Sequence, residues 1–282
     1  MNFEIIPAHD LSLAEQAATF TDAFAGYVGG SFAMDAAGLG LFIGGQGADL
    51  CYSRFARNAA GPCGFGYITR TGDLARLAGM GVVSSARRTG VAVALLRHLL
   101  EEARARGDRM MVLEVIEQNP PACALYRREG FRETGRLRGW RRAAPEDEPE
   151  KSAATVSLQE ISVATASQLP SAQEFPELSW AISRHAIAKM VPGRGYSSGG
   201  AVVVTGDPNV EGPIRVHSVS SIAPGRPDWT AMQKALGAVL ALHRGREFFA
   251  PPVFPEDFGT KIFAPLGFVP EPISQFHMRY DL

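Results

Sequence analysis

One order of elements occurs twice in this chain. From Arg87 to Gly130 the sequence reads as an amphipathic helix, an apolar strand, a short helix and a Gly-Phe pair; over nearly the same length, Arg226 to Gly267 reads so again and closes on Gly267-Phe268. A repeat of this size points to one structural unit used two times, although a generic α+β second domain answers to the same pattern. In the first copy, apolar rows at Val91, Leu95, Leu99 and at Ala92, Leu96, Leu100 mark a helix from Val91 to Arg106, which Gly107 stops. Arg109 to Ile116 is a nearly continuous apolar strand suited to a central, buried position. Pro120 or Pro121 can start the short helix that runs to Arg128. In the second copy Met232, Leu236, Val239 and Leu240 form the inward stripe of a helix over Asp228 to His243. Glu247 to Phe254 follows as a strand and Phe258 to Pro265 as a short helix.

The flanking segments read as α+β. Phe3 to Pro7 is a strand, Leu11 to Phe24 a helix, and Ser31 to Phe42 a weaker, Gly-rich helical stretch. Leu50 to Arg57 and Cys63 to Thr69 form a hairpin about Gly61-Pro62, and Leu74 to Val82 is the next strand. Phe131 to Trp140 holds one or two more. In the second half Glu174 to Met190 reads as helix, and Ala201 to Thr205 and Ile214 to Ser220 as strands. The acidic, Pro-containing run AAPEDEPEKSA separates the halves. The expected division is therefore 1–142, a linker at 143–154, and 155–282.

Composition narrows the class. The net charge of -1 offers no overall field for nucleic acid. The first 145 residues carry 17 arginines, no lysine and 14 carboxylates, a slight basic bias that suits a small anion better than a duplex. Cys51, Cys63 and Cys123 form no CxxC pair, and the six histidines have no metal spacing. No metal and no disulfide framework are expected, and a reducing cytoplasm is the default. The first residues lack the pattern of a signal peptide, and no stretch approaches the ~18 apolar residues of a membrane span.

The chemistry concentrates in Gly81-Val82-Val83-Ser84-Ser85-Ala86-Arg87-Arg88-Thr89-Gly90-Val91-Ala92. Gly90 and Ala92 leave backbone N–H groups open at a helix start, where the free donors and the helix dipole favour an anion. Arg87 and Arg88 add positive charge. The residues read either as a pyrophosphate cradle or as a solvated helix cap. Gly79 and Gly81 weaken the strand before it, which marks a bulge, a close ligand, or packing against a bulky neighbour.

A second run, Asn119-Pro120-Pro121-Ala122-Cys123-Ala124-Leu125-Tyr126-Arg127-Arg128-Glu129-Gly130-Phe131, follows the buried strand. Together the two runs resemble the GNAT acetyltransferases. Arg87, Gly90 and Ala92 match that family's Arg/Gln-x-x-Gly-x-Gly/Ala motif, and Asn119, Ala122, Leu125, Tyr126, Gly130 and Phe131 match its following helix. The resemblance covers about residues 1–142. It implies a mixed, splayed sheet flanked by helices, duplicated here in tandem, with acetyl-CoA in the cleft. Val82 and Val83 would bond the pantetheine arm, and the backbone of Arg87, Arg88, Thr89, Gly90, Val91 and Ala92 the pyrophosphate. Tyr126 would protonate the departing thiolate, and Asn119 would hold the arm or a water, or cap the next helix. The family often carries a base on the strand before the loop, but Leu74 to Val82 has no carboxylate. Glu117 is the first candidate base, with Glu114, a water chain or a residue of the Phe24-Ala25-Gly26-Tyr27 segment behind it. Phe24 and Tyr27 fall where the family builds its acceptor wall.

The second half departs from the motif. Trp229 stands at the glycine position, Pro227 has no N–H to donate, and Phe263 replaces the tyrosine. The reading is a tandem GNAT protein whose first domain acetylates a primary amine, a small molecule or a peptide, and whose second has lost its cofactor site. Rival readings are a non-catalytic acyl-CoA sensor and a tandem synthase acting on a larger amine. Nucleic acid and membrane partners are not expected, and a monomer or homodimer is.

Overall fold

The computed structural model describes residues 2–30, 32–144, 157–169, 179–222 and 227–282. The chain folds into two compact units, Met1–Gly135 with Phe276–Leu282, and Arg136–Gln275. Residues 145–154 of the expected linker lie outside the described residues.

Unit 1 begins with β1 (Glu4–Pro7), α1 (Leu13–Ala23), α2 (Ala36–Gln46), β2 (Asp49–Asn58), β3 (Gly61–Thr71), β4 (Leu74–Val82), α3 (Val91–Ala105), β5 (Met110–Ile116), α4 (Pro120–Arg128) and the start of β6 (Arg132–Arg142). Its strands order β1-β2-β3-β4-β5, antiparallel except for the parallel pair β4–β5 around α3. Ser12 and Glu15 close a capping box that starts α1. Asp35 caps α2 later than the Ser31 expected from sequence, and the helix runs on to a left-handed Gly47.

The two faces of this sheet are covered for different reasons. On one, Phe55, Phe65 and Tyr67 bury against Phe20 and Leu39 of α1 and α2. The buried Gln16 answers Tyr67, accepting its hydroxyl at 3.0 Å and donating to the carbonyls of Ala8 and Leu11, so no buried polar atom of that group is left unpaired. On the other face, α3 settles closely because β3 has glycines beneath it. A Cβ on Gly66 would stand 2.5 Å from Leu99 Cδ1, and one on Gly64 2.9 Å from Val91 Cγ1. That contact fixes where the start of α3 sits.

The C-terminal segment completes unit 1. The Leu282 N–H donates to the carbonyl of Arg109 at 3.0 Å. Met278 is fully buried among Met111, Leu113 and Phe131, and the rings of Phe131 and Tyr280 lie 5.3 Å apart. Met278→Ala is accordingly expected to cost about 2–5 kcal/mol, readable as a lower denaturant midpoint. A loss within about 0.5 kcal/mol, the range of ordinary surface changes, would mean that the segment adds little to the core.

Unit 2 repeats the order. It holds β7 (Gln159–Ile161), α5 (Val163–Gln168), α6 (Arg184–Ile187), β8 (Gly193–Ser198), β9 (Ala201–Gly206), β10 (Ile214–Ser221), α7 (Trp229–Leu242), β11 (Phe248–Pro255), α8 (Glu256–Ile262) and the first part of β12 (Val269–Asp281). The strands run β7-β8-β9-β10-β11, with the parallel pair β10–β11 around α7. Residues 137–142 of β6 pair antiparallel with β11, with a register shift between Ala250 and Phe254. The long helix expected over Glu174 to Met190 is not formed among the described residues. Ser179 precedes a 3-10 turn, Trp180–Ile182, and Ser183 accepts from Ala186 N–H to start α6. Each serine begins a fresh turn, which interrupts a continuous helix. No helix among the described residues is long and apolar enough to cross a membrane.

Candidate active site

The site grows from a fault in strand pairing. In the β3–β4 ladder Tyr67 faces Gly79 while Ile68 faces Leu77, so Ala78 is an extra, bulged residue. A bulge bends its strand and increases its twist. The parallel pairing of β4 with β5 runs from Leu74↔Met110 to Leu77↔Leu113. Past that point β4 continues to Val82 and β5 to Ile116 without a registered pair. The two strands splay, and the backbone of β4 beyond Ala78 turns an open edge toward the gap. Backbone donors and acceptors require partners, and an extended ligand rich in amides can supply them.

A cavity of about 450 Å³ lies in this gap. Its walls include Gly81 and Val82 of β4, Phe24 and Tyr27 after α1, and Asn119 and Tyr126 of the α4 region. Gly81 serves packing: a Cβ there would lie 2.9 Å from both Ala23 and Phe65, whereas one on Gly79 would meet only Phe42 at 3.6 Å.

At one end of the cavity Ala92 carries the start of α3 into the wall. The first helical bond runs from Ala94 N–H to Gly90 C=O, so the N–H groups of Val91, Ala92 and Val93 have no partner within the helix. Arg88 (φ 64°) and Gly90 (φ 91°) are left-handed. For the non-glycine Arg88 this costs roughly 1–2 kcal/mol, and such strain tends to persist where a site needs the shape. A Cβ on Gly90 would meet nothing within 4 Å, so the space beside the helix start is open. Thr89 holds the loop by donating its hydroxyl to Ala86 C=O at 2.7 Å.

Arg87 does something other than reach outward. Its guanidinium donates to the carbonyls of Val82 (3.3 Å) and Ala23 (3.0 Å), and its N–H returns to Ser84. It struts the loop against α1 while its charge stays in the cavity wall. Val83 likewise spends its N–H on Cys63 C=O and buries its side chain.

The other end is aromatic and phenolic. Phe24 lies 4.6 Å from Phe20, 4.9 Å from Tyr27 and 5.5 Å from Phe32, centroid to centroid. Tyr27 hydrogen-bonds the Asn119 side chain, and burial pushes its phenol above the usual range. Asn119 also accepts from Ala122 N–H at 3.5 Å, so it caps α4 while holding Tyr27. Tyr126 is buried, and burial first, then the neighbouring Tyr27 and Cys123, push its phenol well above the usual range. Ala122, Leu125 and Tyr126 share the cavity-facing stripe of α4; their helical spacing is the signal by which Leu125 and Ala122 could have been placed there from sequence.

Glu117 lies in the turn after β5. Gln118 and Asn119, which follow it, enter the cavity wall and Glu117 does not. Glu114 is held by Arg76 at 2.8 Å and is almost fully buried. Among the described residues no group of three His, Cys, Asp or Glu is placed to hold a metal.

In unit 2 the corresponding helix start and tyrosine position are filled, among the described residues. Asp228 caps α7 by accepting from Ala231 N–H at 2.9 Å, which sets a carboxylate where an anion would go. Trp229, the first residue of that helix, packs on Phe258 at 5.7 Å and under Lys261 at 4.7 Å. Phe263 is fully buried among Phe254, Phe268 and Trp140. Residues 223–226, including Arg226, lie outside the described residues.

Residues 17–131 match the model of the acetyltransferase (GNAT) family. Among solved structures, a tandem GNAT protein from the clavulanic acid biosynthesis pathway is 16% identical, with a TM-score of 0.63 over 99% of this chain and 98% of its own. A GCN5-related N-acetyltransferase from Sphaerobacter thermophilus is 11% identical, with a TM-score of 0.65 over 99% and 95%. One from Kribbella flavida is 16% identical, with a TM-score of 0.64 over 99% and 72%. At these identities the likeness shows the fold, a GNAT fold of mixed sheet flanked by helices. No curated protein sequence matches.

Proposed function

We propose that unit 1, whose residues 17–131 match the acetyltransferase (GNAT) family model, transfers the acetyl group of acetyl-CoA to a primary amine. The observation that carries this reading is one cavity that joins an open helix start, an open strand edge and a buried phenol. The free N–H groups at α3 bind the pyrophosphate. The β4 edge around Val82 pairs with the pantetheine arm and aims the thioester at α4. The uncharged amine nitrogen attacks the carbonyl carbon directly; the C–N bond forms, the C–S bond breaks, the sulfur takes the Tyr126 proton, and the proton the nitrogen loses returns to the phenolate through water. Because burial holds that phenol above its ordinary range, Tyr126 keeps its proton and remains a donor at neutral pH. Asn119 positions Tyr27, and Phe24 and Tyr27 face the acceptor. Glu117, outside the wall, receives through water the proton that a charged acceptor must shed before entry.

Unit 2 binds no cofactor. Its helix start is already capped by the Asp228 carboxylate and its tyrosine position is a core phenylalanine. Calorimetric titration of the full chain with acetyl-CoA is expected to give one site per chain. Two sites would overturn this division of labour, and no site would overturn the function itself.

A further inference from the structure

The acceptor side of the cavity has an unusual chemistry for an enzyme that handles amines. Among the described residues, Arg87 is the one charged side chain in the wall, and no carboxylate lines it. The other lining residues are neutral: Phe24, Tyr27 and Tyr126 are aromatic, Gln118 and Asn119 are amides, and the rest are small or apolar, with Val28 exposed beside them. A free ammonium entering here would exchange its hydration for at most the Gln118 and Asn119 amide oxygens, find no counter-charge among the described wall residues, and share the cavity with the Arg87 guanidinium. Desolvation disfavours the charged form of an amine, and a like charge nearby disfavours it further. Cation–π attraction to Phe24 or Tyr27 recovers only part of that loss.

We propose that the acceptor is an aryl-bodied primary amine of low basicity, an arylamine, which enters the cavity as the uncharged free base. This rests on the acetyl-transfer reading and adds the substrate class to it. The flat body lies against the Phe24 and Tyr27 rings of the wall, which meet edge to face at 4.9 Å and offer both ring faces and ring edges to an aryl group. The proton balance then closes inside the cavity. The uncharged nitrogen forms the C–N bond and loses one proton as the amide forms. The thiolate released from the C–S bond gains one from Tyr126, and the phenol is restored by the nitrogen's proton through water. No net proton leaves, so the missing carboxylate on β4 is no defect for this acceptor.

The test compares aniline with putrescine and Nα-acetyl-lysine amide under saturating acetyl-CoA, following thiol release. Less than about a thousandth of a lysine-like amine is uncharged at pH 7. Aniline is expected to show a kcat/KM at least roughly 100-fold higher than either basic amine at that pH. Its rate should stay flat from pH 7 to 9, while theirs climbs by about tenfold per unit. Ala25→Asp places a carboxylate on the exposed rim of the wall and should move the preference toward the basic amines by about tenfold. Putrescine or the lysine amide matching aniline would overturn the assignment. So would a protein that binds acetyl-CoA yet consumes none of the three. A protein that fails to bind acetyl-CoA at all overturns the acetyl-transfer reading, and this one with it.

Discussion

Replacing Gly90 by glutamate is expected to abolish acetyl-CoA binding while leaving unit 1 folded. Gly90 is the residue before α3, and its missing side chain leaves open space where the helix's free N–H groups point. A glutamate would fill that space and set a negative charge against the pyrophosphate. Charge-assisted hydrogen bonds contribute about 1.5–3 kcal/mol each, so losing two would weaken binding by roughly 100-fold or more. The backbone there is left-handed, φ 91°, so any side chain adds strain of roughly 1–2 kcal/mol. Gly90→Ala carries the same strain without the bulk or charge, and should keep most of the affinity. Calorimetry on both variants, with circular dichroism to confirm folding, separates the two effects. Unchanged affinity in Gly90→Glu would mean that the start of α3 is not the anion site.

Tyr126→Phe should lower kcat by about 100-fold or more, the usual worth of a positioned general acid, with little change in the KM for acetyl-CoA. The substitution removes one oxygen from a buried ring that packs against Phe131 at 5.7 Å, so the fold should persist. Burial raises the phenol's proton affinity. Wild-type activity should therefore show no alkaline loss from this group in the range where the enzyme works, because ionisation would begin only above the usual phenol range. A smaller loss would follow if water protonates the thiolate instead. An unchanged kcat on a confirmed acceptor would make Tyr126 a core residue and nothing more.

Several elements were legible because their causes are local. The bounds of α4 follow from Asn119 as a cap and from Pro120 at the helix start. The amphipathic rows of α3 and the glycine at its N-terminus mark the loop and its open donors. The paired order of elements in the two halves announced the repeated topology. Trp229 and Phe263 could be read as departures from the matching first-half positions without any coordinates.

Other features depended on residues far apart in the chain. The bulge at Ala78 arises from the register of β3 against β4, and it decides where the sheet opens. Gly64 and Gly66 gain meaning only when α3 lies on them. The guanidinium of Arg87 turns to the Ala23 carbonyl, a partner on α1 that no motif contains. Glu117 stands past the end of β5, and the turn rotates it out of the wall that its neighbours enter. The strand that places Met278 in unit 1 contains Pro270 and Pro272, which blur its alternation, so its role was invisible before folding. Periodicity and capping are chemistry between near neighbours, and the sequence alone determined those. Which strands meet, which face a side chain takes and what lies opposite it were decided only by tertiary packing, because those partners are remote along the chain and local preference carries no information about them.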